Sequence, residues 1–97
     1  MDVILSVGFN SQIREYFQIK NPAILPLQGE IFNCTWSDFL TDENILEILD
    51  DYDENGCWLV DVVSKDFSKD KIIYNISLME EEHYYEHQKY LRELGQI

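Results

Sequence analysis

Apolar positions gather into short runs near the start and middle of the chain, and fall at helical spacing elsewhere. Val3 to Val7 is a short apolar run ending at Gly8, too short for a helix, and it predicts a strand. Asn10 or Ser11 then predicts a helix cap, with Ile13, Tyr16 and Phe17 on one face of a short helix. Asn21-Pro22 ends it, because the proline ring pushes Asn21 out of the α region. Ala23 to Leu27 predicts an extended stretch that Pro26 confines to an edge or a loop. Gln28-Gly29 predicts a turn into a second extended piece, Glu30 to Thr35.

Thr41 followed by Asp42 and Glu43 predicts a helix start, a hydroxyl cap with two acids on the positive end of the dipole. Ile45, Ile48, Leu49 and Tyr52 follow at helical spacing with Leu46 beside them, and Asn55-Gly56 ends the element. Cys57 to Val63 is the strongest strand pattern, and its near-continuous apolarity predicts a central position. Ser64 to Lys71 reads as a polar connection that includes Phe67. Lys71 to Leu78 reads as the partner strand of an antiparallel hairpin. The last element is a helix with Glu80, Glu81 and Glu82 in its first turn, Arg92 in its last and Gly95 closing it. Tyr84, His87, Leu91 and Leu94 predict one stripe, with Tyr90 beside it.

These elements predict an α+β fold: a single mainly antiparallel sheet of about four to five strands, with two to three helices packed against one face. The 97 residues fit one acidic domain spanning 1–97, and a hydrophobic fraction of 45% with five Phe, six Tyr and two Trp supports a core.

Charge changes the picture more than composition does. Nineteen Asp and Glu face seven Lys and Arg, for a net charge of −12. A small domain needs a net charge of only about 2–8 units for solubility. The excess opposes folding through self-repulsion and builds a field that steers association with cations. It disfavours a nucleic-acid or anionic-membrane binder, since either needs a basic face. Cys34 and Cys57 are too few for a disulfide framework, and their apolar settings suit buried thiols. No stretch approaches about 20 apolar residues, and Asp2 stands where a signal peptide needs basic residues, so the expected compartment is the cytoplasm.

Two motifs carry candidate metal chemistry. Asp51, Asp53, Asn55 and Gly56 match the first half of a calcium loop, in which alternate oxygen ligands wrap the ion and glycine permits the sharp turn. The twelfth position is Val62 rather than a bidentate Glu, so the favoured reading is an acidic helix-to-strand turn. His83, Glu86 and His87 fit H-x-x-E-H, which sets two imidazoles one helical turn apart. No third ligand stands out, so the pair reads as surface or half-buried histidines on an aromatic-rich helix. Nucleophile elbows, CxxC pairs and phosphate loops are absent from the sequence, and neither an enzyme nor a cofactor is expected.

The acids concentrate in one segment. Asp42, Glu43, Glu47, Asp50, Asp51, Asp53 and Glu54 put seven carboxylates into thirteen residues with no Lys or Arg among them. Glu43, Glu47, Asp50 and Glu54 recur at spacings of three and four, away from the apolar face. Like charges at that spacing destabilise a helix by about 0.2–0.5 kcal/mol per pair. Acids near the C-terminal end also oppose the dipole. The pattern predicts a partner-binding surface, with Tyr52 as an aromatic anchor, for a basic protein. In character, though in no quotable motif, the chain is similar to small acidic immunity proteins and antitoxins. That likeness implies a monomer that neutralises a basic toxin, a nuclease domain, by covering its cleft. The alternatives are a nucleic-acid mimic and a weak calcium-binding module.

Overall fold

The computed structural model describes residues 1–10 and 13–95, with the backbone alone at 53–55. Along the chain lie β1 (Asp2–Phe9), β2 (Phe17–Lys20), β3 (Ile31–Phe32), a 3-10 turn (Trp36–Asp38), α1 (Glu43–Asn55), β4 (Trp58–Phe67), β5 (Lys71–Glu80) and α2 (Glu81–Glu93). The fold is α+β, with one mixed sheet of five strands and two α-helices. The strand order is β2-β1-β5-β4-β3.

The β4–β5 pair is the antiparallel hairpin that its β-branched pattern predicts, and it is longer than expected. β4 runs on to Phe67, so most of the predicted polar connection is strand; the turn itself is closed by Ser68 donating from its backbone N–H to the Lys71 carbonyl at 3.0 Å. The centre of the sheet is β5, and β4 lies one place nearer the edge. β1 joins β5 in parallel, from Asp2 opposite Lys71 to Phe9 opposite Leu78, while the other three pairings are antiparallel.

Several local expectations change. The predicted helix around Ile13, Tyr16 and Phe17 does not form among the described residues; Phe17–Lys20 is instead a strand on β1, with Val7 opposite Phe17. The proposed cap Ser11 lies outside the described residues. The physical reason is tertiary: Ile13 and Phe17 are buried, but Tyr16 between them is 69% exposed, so the helical spacing is not the one that is used. Asn21 sits at φ 49° and holds β1 from below, its Oδ1 accepting from the Val3 N–H at 2.8 Å. Of the extended piece Glu30 to Thr35, only Ile31–Phe32 is strand. Asp42 rather than Thr41 caps α1, its Oδ1 accepting from the N–H groups of Asn44 at 2.9 Å and Ile45 at 3.3 Å. A carboxylate there satisfies two open donors and also brings charge to the positive end of the dipole.

The core lies on one face of the sheet. Leu5 and Val7 of β1, Tyr74, Ile76 and Leu78 of β5, and Trp58 and Val60 of β4 meet Leu49 of α1, which is completely buried. Aromatic rings bind these layers. Phe9 packs edge-on to Trp58 at 5.2 Å between centroids and tilted to Trp36 at 5.8 Å. Each such pair adds about 0.5–1.5 kcal/mol beyond its area burial. A bulge between Val60 and Val62 carries Asp61, the one buried charged residue among those described; Asn10 donates to its carboxylate at 2.8 Å.

The last helix is phased differently from its expected stripe. Tyr84, Gln88 and Leu91 are half-buried, whereas His87 is exposed and Leu94 lies past the helix as its C-cap. The phase is set at its start, where the Glu81 N–H donates to the Cys57 carbonyl at 3.1 Å and to the Tyr52 phenol oxygen at 3.1 Å. No residue of α2 is fully buried.

Candidate functional site

Helix α1 positions the acidic segment. Leu49 is its deepest residue, and Ile45, Leu46 and Tyr52 pack with it against the core. With 100° per residue, this fixes Glu43, Glu47 and Asp50 as a stripe on the far side, and all three are exposed. Asp42 and Asp51 are exposed as well, on either flank. Asp53 and Glu54 continue the helical backbone, and their side chains lie outside the described residues. Ion pairs among the described residues join Lys20 to Asp2 at 3.7 Å and His83 to Glu80; none reaches Asp42, Glu43, Glu47 or Asp50. The stripe presents an array of carboxylates spaced by helical turns, suited to Arg and Lys rather than to an anion.

Tyr52 is placed differently from the acids. Its ring packs at 5.0 Å from that of Trp58, and its phenol oxygen holds the first N–H of α2. Burial raises its pKa, with the Glu80 and Glu82 carboxylates adding to the rise. Gly56 closes the same corner: a Cβ there would stand 3.0 Å from the Tyr52 ring. Tyr52 is thus first a strut between α1 and α2, with part of its ring still accessible.

A pocket of about 610 Å³ opens beside α1, lined by Ile45, Ile48, Asp51 and Tyr52 of that helix, together with Ile13, Arg14, Trp58, Glu80 and His83. Sequence reasoning had singled out Asp51, Tyr52 and His83 for other reasons. It had no signal for Arg14 or Glu80 here, because the residues are brought together from four separate parts of the chain.

Neither metal motif is assembled as a site. Asp51 to Asn55 forms the last turns of α1, so the segment is helix rather than a turn or an ion-wrapping loop. His83 and His87 do stand one turn apart on α2, but His83 Nδ1 is engaged by Glu80. Among the described residues no group of three His, Cys, Asp or Glu side chains is placed to hold a metal. The two cysteines form no disulfide and are half-buried rather than buried. Cys57 Sγ donates to Glu81 Oε2 at 3.2 Å, and burial together with that carboxylate raises its pKa, which suppresses the reactive thiolate. Among the described residues, no helix is long and apolar enough to cross a membrane.

Comparison with protein families, with curated proteins and with solved structures finds no match, so a functional reading rests on the chain's own residues.

Proposed function

We propose that this chain is an acidic inhibitor that binds a basic protein, acting as an immunity protein or antitoxin that covers the cleft of a basic toxin in the cytoplasm. The toxin of this reading is a nuclease, because a cleft built for phosphates is lined with the cations that a carboxylate array matches. The observation that carries the reading is the outward stripe of Glu43, Glu47 and Asp50, which no ion pair among the described residues reaches. The stripe opposes its own helix through like-charge spacing, a cost that solubility alone does not require at a net charge of −12. Complementary fields raise association rates toward about 10⁸–10⁹ M⁻¹s⁻¹ at low salt, which suits rapid capture of a toxin. The reading involves no catalysis and no cofactor.

The test is charge reversal. Glu43→Lys, Glu47→Lys and Asp50→Lys in one chain should abolish protection against the partner nuclease and flatten the salt dependence of binding. Undiminished protection would remove the stripe from the mechanism. The nucleic-acid mimic shares the basic face and differs in its target: it would inhibit several unrelated DNA- or RNA-binding enzymes, whereas an immunity protein inhibits one.

A further inference from the structure

Strand β4 outruns its neighbour on one side. β3 pairs with it only at Trp58 and Leu59. The chain just before β3 adds two bonds at Val60, where the Gly29 N–H donates to its carbonyl at 2.8 Å and its own N–H donates to the Glu30 carbonyl at 2.9 Å. Beyond the bulge, the outer edge from Val62 to Phe67 has no neighbouring strand among the described residues. The direction of its backbone groups is fixed at both ends. The Val62 N–H points toward β5, donating to Ser77 Oγ at 3.3 Å, and so does the Ser68 N–H, donating to the Lys71 carbonyl at 3.0 Å. Antiparallel pairing alternates, so the N–H and carbonyl groups of Val63, Lys65 and Phe67 point away from the sheet. An open row of this kind is a template for another strand.

The side chains along it are of mixed character. Val63, Lys65 and Phe67 share the core face, with Val63 packed against the core and the Lys65 ammonium 5.7 Å from the centre of the Tyr74 ring. Val62, at 53%, and Phe67, at 74%, leave apolar surface exposed at either end. Three of the seven cations, Lys65, Lys69 and Lys71, fall on this end of the hairpin against Asp66 and Asp70, so it is locally positive within a chain of net −12. Helix α1 meets β4 at the opposite end, where Tyr52 packs on Trp58.

A second copy of the chain is a poor occupant. Outward residues must face outward residues, and the register that uses all three sets Val63 opposite Phe67 and Lys65 opposite its own counterpart. Like charges in a direct cross-strand pair are destabilising, whereas a carboxylate in that position makes the same contact favourable. We propose that the open edge of β4 takes an extended segment of a partner protein in antiparallel pairing, with an Asp or Glu opposite Lys65 and apolar side chains opposite Val63 and Phe67. The backbone bonds supply affinity, and the Lys65 charge selects the incoming strand while turning away the chain's own. This edge is separate from the acidic stripe, and its test does not depend on that reading.

The probe is a capped hexapeptide that copies residues 62–67 with Lys65→Glu; in the register above, its Glu meets Lys65 and its Phe meets Val63. It is titrated into the ¹⁵N-labelled full chain in about 0.15 M salt, which screens the more distant acids over about 8 Å. The amide signals of Val63, Lys65 and Phe67 should move saturably, and their exchange with solvent should slow. The hexapeptide of unaltered sequence should bind about three- to tenfold more weakly. In the full chain carrying Lys65→Glu the preference should reverse, the unaltered peptide becoming the tighter of the two. No saturable movement with the Glu peptide, equal binding of both peptides, movement centred away from this edge, or a preference that Lys65→Glu leaves unchanged would overturn the proposal.

Discussion

The phenol oxygen of Tyr52 accepts a hydrogen bond at 3.1 Å from the backbone N–H of Glu81, joining the last turns of α1 to the first residue of α2. No residue of α2 is fully buried, and this bond and the neighbouring Glu81–Cys57 backbone bond tie its first residue to α1 and to the start of β4. Tyr52→Phe keeps the ring on Trp58 and removes only the acceptor. It should lower stability by about 0.5–1.5 kcal/mol in urea melts and increase amide exchange in the first turn of α2.

The same residue gives a pH dependence with a definite sign. Burial raises the Tyr52 pKa in the folded chain, so the neutral phenol is the form that the fold favours. Its contribution is complete below the ordinary phenol value of about 10 and is lost as pH rises through the higher folded value. The stability difference between wild type and Tyr52→Phe should therefore hold steady from neutral pH to about pH 9 and shrink above about pH 10. A difference that grows with pH would contradict the assignment.

Leu49 anchors α1, completely buried among residues of the sheet. Leu49→Ala should cost about 2–5 kcal/mol by thermal or urea unfolding. Ile48→Ala, one position along at an exposed site, should cost well under half as much.

Near β1, Asn10 donates to the buried Asp61 carboxylate at 2.8 Å. Asn10→Ala should cost about 1–3 kcal/mol, because it removes a hydrogen-bond partner from a buried carboxyl group. Asp61→Asn, made in the same background, should recover part of that loss.

Where the signal is local, the fold is legible in the sequence. α1 follows from Ile45, Leu49 and Tyr52 at helical spacing, and the β4–β5 hairpin from β-branched runs on either side of Ser68-Lys69-Asp70. The parallel union of β1 with β5 is not legible, since it joins Asp2 to Lys71 across most of the chain and leaves no mark on either strand's pattern. β2 was hidden by a coincidence of spacing: Ile13, Tyr16 and Phe17 mimic a helical face, yet Phe17 is buried by pairing opposite Val7. For the candidate site, the stripe was readable because periodicity fixes which residues face away from Leu49. The pocket was not, because Arg14, Tyr52, Trp58 and His83 meet only after the sheet has closed.

Repulsion within the stripe has a consequence for stability that runs opposite to binding. Glu47 lies four residues from Glu43 and Asp51 and three from Asp50, and Asp50 faces the unfavourable end of the dipole. Glu47→Lys with Asp50→Lys should raise stability by about 0.5–1 kcal/mol in urea melts at low salt, the gain fading as salt rises. A loss of stability would mean that these acids support the fold and are not set aside for a partner.

The affinity for the basic partner, measured against salt for wild type and for the chain carrying Glu43→Lys, Glu47→Lys and Asp50→Lys, tests the central claim most directly. The wild-type affinity should fall by about tenfold or more on moving from low to high salt, and the variant should bind at least about a hundredfold more weakly with little salt dependence. Equal affinities and equal salt slopes for the two chains would contradict it.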